Sequence, residues 1–316
     1  MESSISSQSS LDERNFDDIV LLKRISKAKF PVFLAHSPSL NEYFAVKLFS
    51  YKNDKPSVYF LNEARFSALS HKNIISIVHA EFEREGSYQN NKTEYISYLV
   101  MELAPYGDFY DLVMTAQISF DDLLARTFFH QLIEGIEYLH KKKVAHVDLK
   151  LENLLVGGDL NLKIADFDLS YVEGDQPPKC AGTRNYRAPE LKHRACQDYQ
   201  AADIYSAGII LFTLKTAGTL PHVEEQDLDG VNFFDLMVNN NEEFWKRHSE
   251  IQGVDHSFFD PDFRALFNKM TDIDPKKRPS IEEIKASKWY NGPTLTQEQL
   301  RKRLSSYIAQ SKFQAL

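Results

Sequence analysis

Residues 146–153 read His-Val-Asp-Leu-Lys-Leu-Glu-Asn. Within that octet Asp148, Lys150 and Asn153 fall close enough together to line one compact loop. Their chemistry is complementary. A carboxylate accepts a hydroxyl proton, an ammonium offsets charge on a phosphoryl oxygen, and an amide carbonyl binds a hard cation. Downstream, the strand-like run Asn161 to Ala165 leads into Asp166-Phe167-Asp168, which supplies a second cation ligand. Upstream, Ala45-Val46-Lys47 places one lysine on the apolar run Tyr43 to Phe49, and Glu63 is its natural ion-pair partner. Gly182-Thr183 and Ala188-Pro189-Glu190 follow.

Outward from these segments the chain divides by character. Residues 1–13 are polar and read as a disordered N-terminus. From Ile19 to Val100 the signals are mostly strand-like, with one helix over Ser57 to Leu69. The polar stretch Glu83 to Glu94 separates two apolar runs, Ile74 to Phe82 and Tyr95 to Met101, which predicts an antiparallel pair. After about residue 104 the pattern turns helical. Ser119 and Asp122 resemble a capping box before a helix reaching about His140, and further helices fit 200–216, 240–249, 261–271 and 280–287. The expected fold class is α+β: a small β-rich N-lobe over 14–103 and a larger helical C-lobe over 104–290. The segment 291–316 is expected to be a basic amphipathic helix.

Composition narrows the function. The 316 residues carry 37 Lys and Arg against 45 Asp and Glu, a formal net charge of −8. That balance argues against a general nucleic-acid binder and suits basic peptide partners. Cys180 and Cys196 cannot build a disulfide framework, so a reducing compartment is the simple reading. The apolar run Ala207 to Leu214 is too short to span a bilayer, and Met1 to Ser10 lacks a signal-peptide pattern. A cytoplasmic location is expected, with the nucleus also compatible, and no membrane partner.

Taken in order, these motifs resemble the eukaryotic protein kinase family over roughly residues 16–290. The resemblance implies a bilobal fold with ATP in the cleft between the lobes, and ATP with Mg²⁺, or Mn²⁺ as an alternative, as cofactors. It implies that Lys47 holds the α- and β-phosphates and pairs with Glu63. Asp148 then orients the substrate hydroxyl and accepts its proton, while Lys150 steadies the γ-phosphate. Asn153 and Asp166 are the implied metal ligands. Ile25, Phe33, Ala45, Met101, Glu102, Ala104, Asp108 and Leu155 complete the implied ATP site. In it Met101 is the gatekeeper, the Glu102 and Ala104 backbones bond adenine, Ala45 and Leu155 sandwich its ring, and Asp108 reaches the ribose. Thr183 and Glu152 are implied on the substrate side. Glu190 is expected to pair with Arg278, and Asp203 to brace the catalytic loop. Lys150 and Thr183 favour serine/threonine over tyrosine substrates. Phe244-Trp245-Lys246 and the stretch Gly182 to Leu191 resemble the calcium/calmodulin-dependent kinase group.

The chain departs from that pattern in three places. Ile25 to Phe33 occupies the phosphate-loop position with Ser26, Ala28 and Pro31 where glycines belong, and Pro31 has no N–H to offer. The metal motif ends in Asp168 instead of glycine, which leaves two readings: a turn-capping side chain, or one that touches the metal. Val147 replaces the arginine that receives an activation-loop phosphate, and Val172 to Gly182 contains no Ser, Thr or Tyr. Loop phosphorylation is therefore not expected to be required.

Two function classes remain. The first is an active serine/threonine kinase. The second is a pseudokinase, a scaffold that keeps the fold without phosphotransfer. For the tail, Leu300, Leu304, Tyr307 and Ile308 fall at helical spacing. A helix packed on the C-lobe is one reading. A calmodulin-like partner gripping Leu300 and Phe313 is another, and an intramolecular substrate with Arg303 docked at Asp108 and Glu152 is a third.

Overall fold

The computed structural model describes residues 18–26, 29–50, 55–87, 93–115, 120–178, 182–192, 196–223 and 230–310. Residues 1–13, Ala28, Ser119, Cys180 and Phe313 lie outside these. The chain divides into two compact units. The first holds residues up to Ser67 and Ser76–Leu103, and the second holds Ala68–Ile75 and Ala104–Leu316.

Among the described residues, the first unit is a five-stranded antiparallel sheet with one helix. Strands β1 (Val20–Arg24), β2 (Val32–Ser37), β3 (Glu42–Ser50), β4 (Ile77–Ser87) and β5 (Thr93–Glu102) run in the order β1-β2-β3-β5-β4. Helix α1 (Val58–Ala64) starts at Ser57, whose side chain accepts from the Tyr59 N–H. β3 is buried on both faces from Phe44 to Phe49. Side chains alternate along a strand, so its two faces have different tasks. Phe44, Val46 and Leu48 join Ala35, Tyr98 and Val100 in one core cluster. The opposite set, Ala45, Lys47 and Phe49, includes Phe49 in edge contact with Phe60 of α1 at 5.5 Å. A lysine is thereby carried on an otherwise apolar strand face.

The expected pairing of 74–82 with 95–101 needs one correction. The strand begins at Ile77, while Ile74 and Ile75 belong to the second unit. There the Ile75 N–H donates to Ile164 O at 2.9 Å, and the Ile164 N–H donates to Asn73 O at 2.8 Å. Backbone pairing divides what hydrophobicity alone reads as one run.

The second unit is helical: α2 (Phe109–Thr115), α3 (Asp122–Lys141), α4 (Pro189–Lys192), α5 (Tyr199–Lys215), α6 (Phe233–Asn239), α7 (Asn241–Gln252), α8 (Pro261–Met270), α9 (Ile281–Ala286), α10 (Gln297–Arg303) and α11 (Ser305–Gln310). Asp121 caps α3 by accepting from the Leu124 N–H. Asp198 caps α5, and α5 is apolar enough to be buried almost all round. Phe212 of α5 meets Trp245, Phe259 and Phe267 in an aromatic core. Four short strands, β6 (Val144–Ala145), β7 (Leu154–Val156), β8 (Leu162–Ile164) and β9 (Tyr171–Val172), pair as β6-β9 and β7-β8.

Among the described residues the tail holds two short helices, α10 and α11. Pro293 lacks an N–H, and the Thr296–Gln299 capping box starts α10 only at Gln297. Leu304, at φ −91° and ψ 5°, ends α10 and precedes α11. Leu300 and Leu304 are fully buried, each worth about 1.5–3 kcal/mol of burial. Arg126 holds the approach, donating to Trp289 O at 2.6 Å and Pro293 O at 2.8 Å. Arg303 pairs with Asp121 at 2.6 Å, on the N-cap of α3. The helix-packed reading of the tail is the one that matches these contacts.

Candidate active site

Seven of the singled-out residues lie in the first unit. Lys47 and Glu63 are both buried and form an ion pair at 2.6 Å. The strand register and α1 put them together, since the β3 face bearing Lys47 is the one that meets the helix. Phe30 lies 5.7 Å from the lysine nitrogen and Phe49 lies 5.2 Å from it, ring centroid to Nζ. Ala45 and Met101 are directly paired across β3 and β5, and both are buried. Phe33 is in β2, opposite Val46. The Ile25 N–H donates to Val32 O at 2.8 Å, and Pro31 O accepts from the Leu48 N–H at 3.0 Å. The glycine-free loop therefore joins the sheet without needing the N–H that Pro31 lacks. The Glu102 N–H is committed to Ser76 O at 3.0 Å, which withdraws that donor from adenine.

The remaining nine lie in the second unit. Three of them converge on a fourth, Asp148. Lys150 Nζ sits 2.9 Å from Asp148 Oδ2. The Thr183 hydroxyl donates to Asp148 Oδ1 at 2.8 Å, the Thr183 N–H donates to the same oxygen at 2.6 Å, and Lys150 donates to Thr183 Oγ1 at 2.9 Å. Asn153 donates from Nδ2 to Asp148 O at 2.9 Å and to Asp148 Oδ2 at 3.2 Å. Burial pulls the Lys150 pKa down, but the charge and hydrogen bond of Asp148, with Glu152 and Asp166 behind, outweigh it and raise it overall. Lys150 is therefore a fixed cation at this carboxylate. Glu152 is exposed.

Asp166 reaches the same place by a different route. The Ala165 N–H donates to Asn153 O at 2.9 Å, just beyond the Leu154–Ile164 rung of the β7-β8 hairpin. Asn153 precedes β7 and Asp166 follows β8, so both stand at one end of that hairpin. Asp166 adopts φ of 67°, a left-handed conformation that Asp tolerates better than most residues. Phe167 is buried, edge-on to His146 at 5.2 Å. Asp168 is half-buried. Asp108 caps α2, accepting from the Asp111 N–H at 2.8 Å, and is bridged to Leu155 of β7. Ala104 O accepts from the Gly107 N–H at 3.4 Å, which closes the turn leading to Asp108.

A support for the loop comes from α5. Asp203 is buried and accepts three bonds: from the His146 N–H and the Val147 N–H, each at 2.8 Å, with His140 Nε2 at 2.9 Å. Those bonds hold Val147 at φ of 70°, which costs a β-branched residue roughly 1–3 kcal/mol. Gly182 passes so close that a Cβ there would meet Val147 O at 2.6 Å. Arg278 grips Glu190 with two bonds, at 2.6 and 2.8 Å. Sequence reading found Asp203 but missed His140 and the strain at Val147. The available signal was His140 itself, a histidine at the C-terminal end of α3 shortly before the octet 146–153.

Oxygen donors suit a hard cation, and Asn153 has its amide nitrogen turned to Asp148, which leaves the carbonyl oxygen as its ligand atom. Among the described residues no three His, Cys, Asp or Glu side chains gather to hold a metal alone.

The protein kinase domain family matches residues 30–290. The chain belongs to that family. Its curated relatives include CBL-interacting protein kinase 26 of Oryza sativa subsp. japonica, 37% identical over 199 residues, 61% of this chain and 37% of that protein. CBL-interacting serine/threonine-protein kinase 8 of Arabidopsis thaliana is 36% identical over 200 residues, 61% of this chain and 40% of that one. CBL-interacting serine/threonine-protein kinase 10 of Arabidopsis thaliana is 33% identical over 224 residues, 69% and 43% of the two chains. This chain thus spans between 37% and 43% of these relatives' lengths. No helix among the described residues is long and apolar enough to cross a membrane.

Proposed function

We propose that this chain is an ATP- and Mg²⁺-dependent kinase that phosphorylates serine and threonine hydroxyls of proteins. The observation that carries the reading is the convergence of Lys150, Asn153 and Thr183 on the Asp148 carboxylate. A carboxylate already bonded to a threonine hydroxyl is arranged to orient an incoming hydroxyl and take its proton. Lys150, held protonated beside it, steadies the γ-phosphoryl oxygens. Lys47, held by Glu63, binds the α- and β-phosphates. Asn153 and Asp166 hold the metal, with Mn²⁺ as a substitute. Magnesium, when bound, would draw charge off the phosphate oxygens. Ile25, Phe33, Ala45 and Met101 of the first unit, with Glu102 contributing from β5, and Ala104, Asp108 and Leu155 of the second are assigned to the nucleoside. Thr183 and Glu152 face the substrate, and the net charge of −8 supports basic peptides.

The scaffold reading draws on two departures, Val147 and the glycine-free loop. Neither removes a group that does chemistry. A calmodulin-like partner at 291–316 has exposed Arg301 and Lys302 in its favour, but would have to extract Leu300 and Leu304 from burial. A cytoplasmic setting is consistent with the cysteine usage.

The test is phosphotransfer from radiolabelled ATP to a basic serine peptide by pure protein, with Mg²⁺ and separately with Mn²⁺. Transfer is expected, and Asp148→Asn should lower turnover at least ~100-fold with nucleotide affinity little changed. No transfer with either metal would overturn the kinase reading in favour of the scaffold.

A further inference from the structure

The last described helix, α11, touches the nucleotide-side turn. The Tyr307 hydroxyl, on α11, donates to the carbonyl of Tyr106. Tyr106 lies between Ala104 and Asp108, two of the residues placed around the nucleoside above. The other side of this turn is already fixed. The Tyr106 N–H donates to Val156 O at 3.3 Å, the Val156 N–H donates to Gly107 O at 2.8 Å, and Asp108 is bridged to Leu155. Gly107 stands at φ of 76°, and a Cβ there would lie 3.8 Å from the Tyr307 oxygen. The turn is thus held between β7 on one side and α11 on the other.

The rest of the tail explains how Tyr307 is delivered there. Arg126 and Thr127 of α3 anchor Trp289, Pro293 and Leu295. Leu300 and Leu304 seat α10, and Ile308 extends the same face into α11. Burial, with Asp108 and Asp111 nearby, raises the Tyr307 pKa, so the phenol stays a neutral donor.

We propose that Tyr307 is a positioning residue for nucleotide binding, tying the C-terminal helix pair to the Ala104–Asp108 turn so that the tail and the nucleotide site stabilise one another. The proposal rests on the nucleotide-site reading given above. Coupling of this kind is reciprocal: if the seated tail favours ATP, ATP must favour the seated tail. It also carries a sign. Asp108 and Asp111 face Tyr307, so a negative charge placed on that side chain unseats α11 more strongly than loss of the hydroxyl alone.

The experiment uses the full chain and two variants, Tyr307→Phe and Tyr307→Glu. Equilibrium binding of ATP with Mg²⁺ is measured by calorimetry, and amide exchange over residues 297–310 is followed with and without ATP. Loss of one hydroxyl–carbonyl bond should weaken ATP binding about threefold to tenfold in Tyr307→Phe, and more in Tyr307→Glu. In activity assays the change should fall on KM for ATP, with kcat nearly constant. ATP should slow exchange across 297–310 in the wild type and lose that effect in both variants. Wild-type affinity in both variants, tighter binding in either, or exchange in α10 and α11 indifferent to ATP would overturn the coupling while leaving the nucleotide site intact. A wild type that binds no ATP would overturn the nucleotide-site reading and the coupling with it.

Discussion

Asp203→Asn is the most revealing single change, because it leaves shape nearly intact and alters one charge. Three donors converge on the Asp203 carboxylate: the His146 N–H and His140 Nε2 on one oxygen, the Val147 N–H on the other. An amide offers one acceptor oxygen, so at least one buried donor must face an NH₂ group. A buried donor left unsatisfied costs about 1–3 kcal/mol. The surviving bonds also lose their charge assistance, which roughly halves their strength. The total is about 2–5 kcal/mol against a typical stability of about 5–15 kcal/mol. Urea unfolding should read it as a lower midpoint with an unchanged slope. The variant should also free the catalytic loop, since Val147 is held at φ of 70° by those bonds. Relief of left-handed strain, about 1–2 kcal/mol, then pulls residues 146–148 out of place. Glycine adopts that conformation freely, so adding Val147→Gly should restore loop order and turnover by roughly 5- to 30-fold over Asp203→Asn alone. Amide exchange at 146–148 reads the loop independently of activity. Unfolding within about 0.5 kcal/mol of wild type, or no protection gained from Val147→Gly, would refute the reasoning.

Three further outcomes are expected. Lys47→Met removes one partner of a buried ion pair and should destabilise by about 3–5 kcal/mol, with the double variant Lys47→Met, Glu63→Met milder than the single, as chemical unfolding of all three would show. His248 is buried against Pro221 O, and burial lowers its pKa to about 4, below the unfolded value of about 6.5. The unfolded chain takes up the proton first as pH falls, so stability is full above about 6.5 and is lost progressively down to about 4, by about 3 kcal/mol. His248→Gln should flatten that part of a stability–pH curve. Gly292→Ala places a Cβ 2.5 Å from the Arg126 guanidinium carbon and should loosen the tail anchor, read as faster amide exchange in α10 and α11.

The sequence by itself determined the fold class and the family. The octet 146–153, Asp166, Lys47 and Glu63 are charged or amide residues set against apolar neighbours, and such residues announce themselves by type and order. The α5, α7, α8 and α9 helices were legible because apolar period and capping residues agree there. Tertiary structure alone decided the rest. Ile74 and Ile75 join the helical unit because Ile164 O takes the Ile75 N–H while the Ile164 N–H donates to Asn73 O, and a hydrophobic run carries no mark of which partner it will find. Val147 is strained only because Asp203, far along the chain, takes its N–H. The placing of Asp166 beside Asn153 depends on the register of β7 and β8. Tyr307 reads as one more apolar position on a helix until the fold brings its hydroxyl to Tyr106. For Ile75, Val147 and Tyr307 the deciding group is a hydrogen-bond partner remote in sequence, and local pattern cannot specify it.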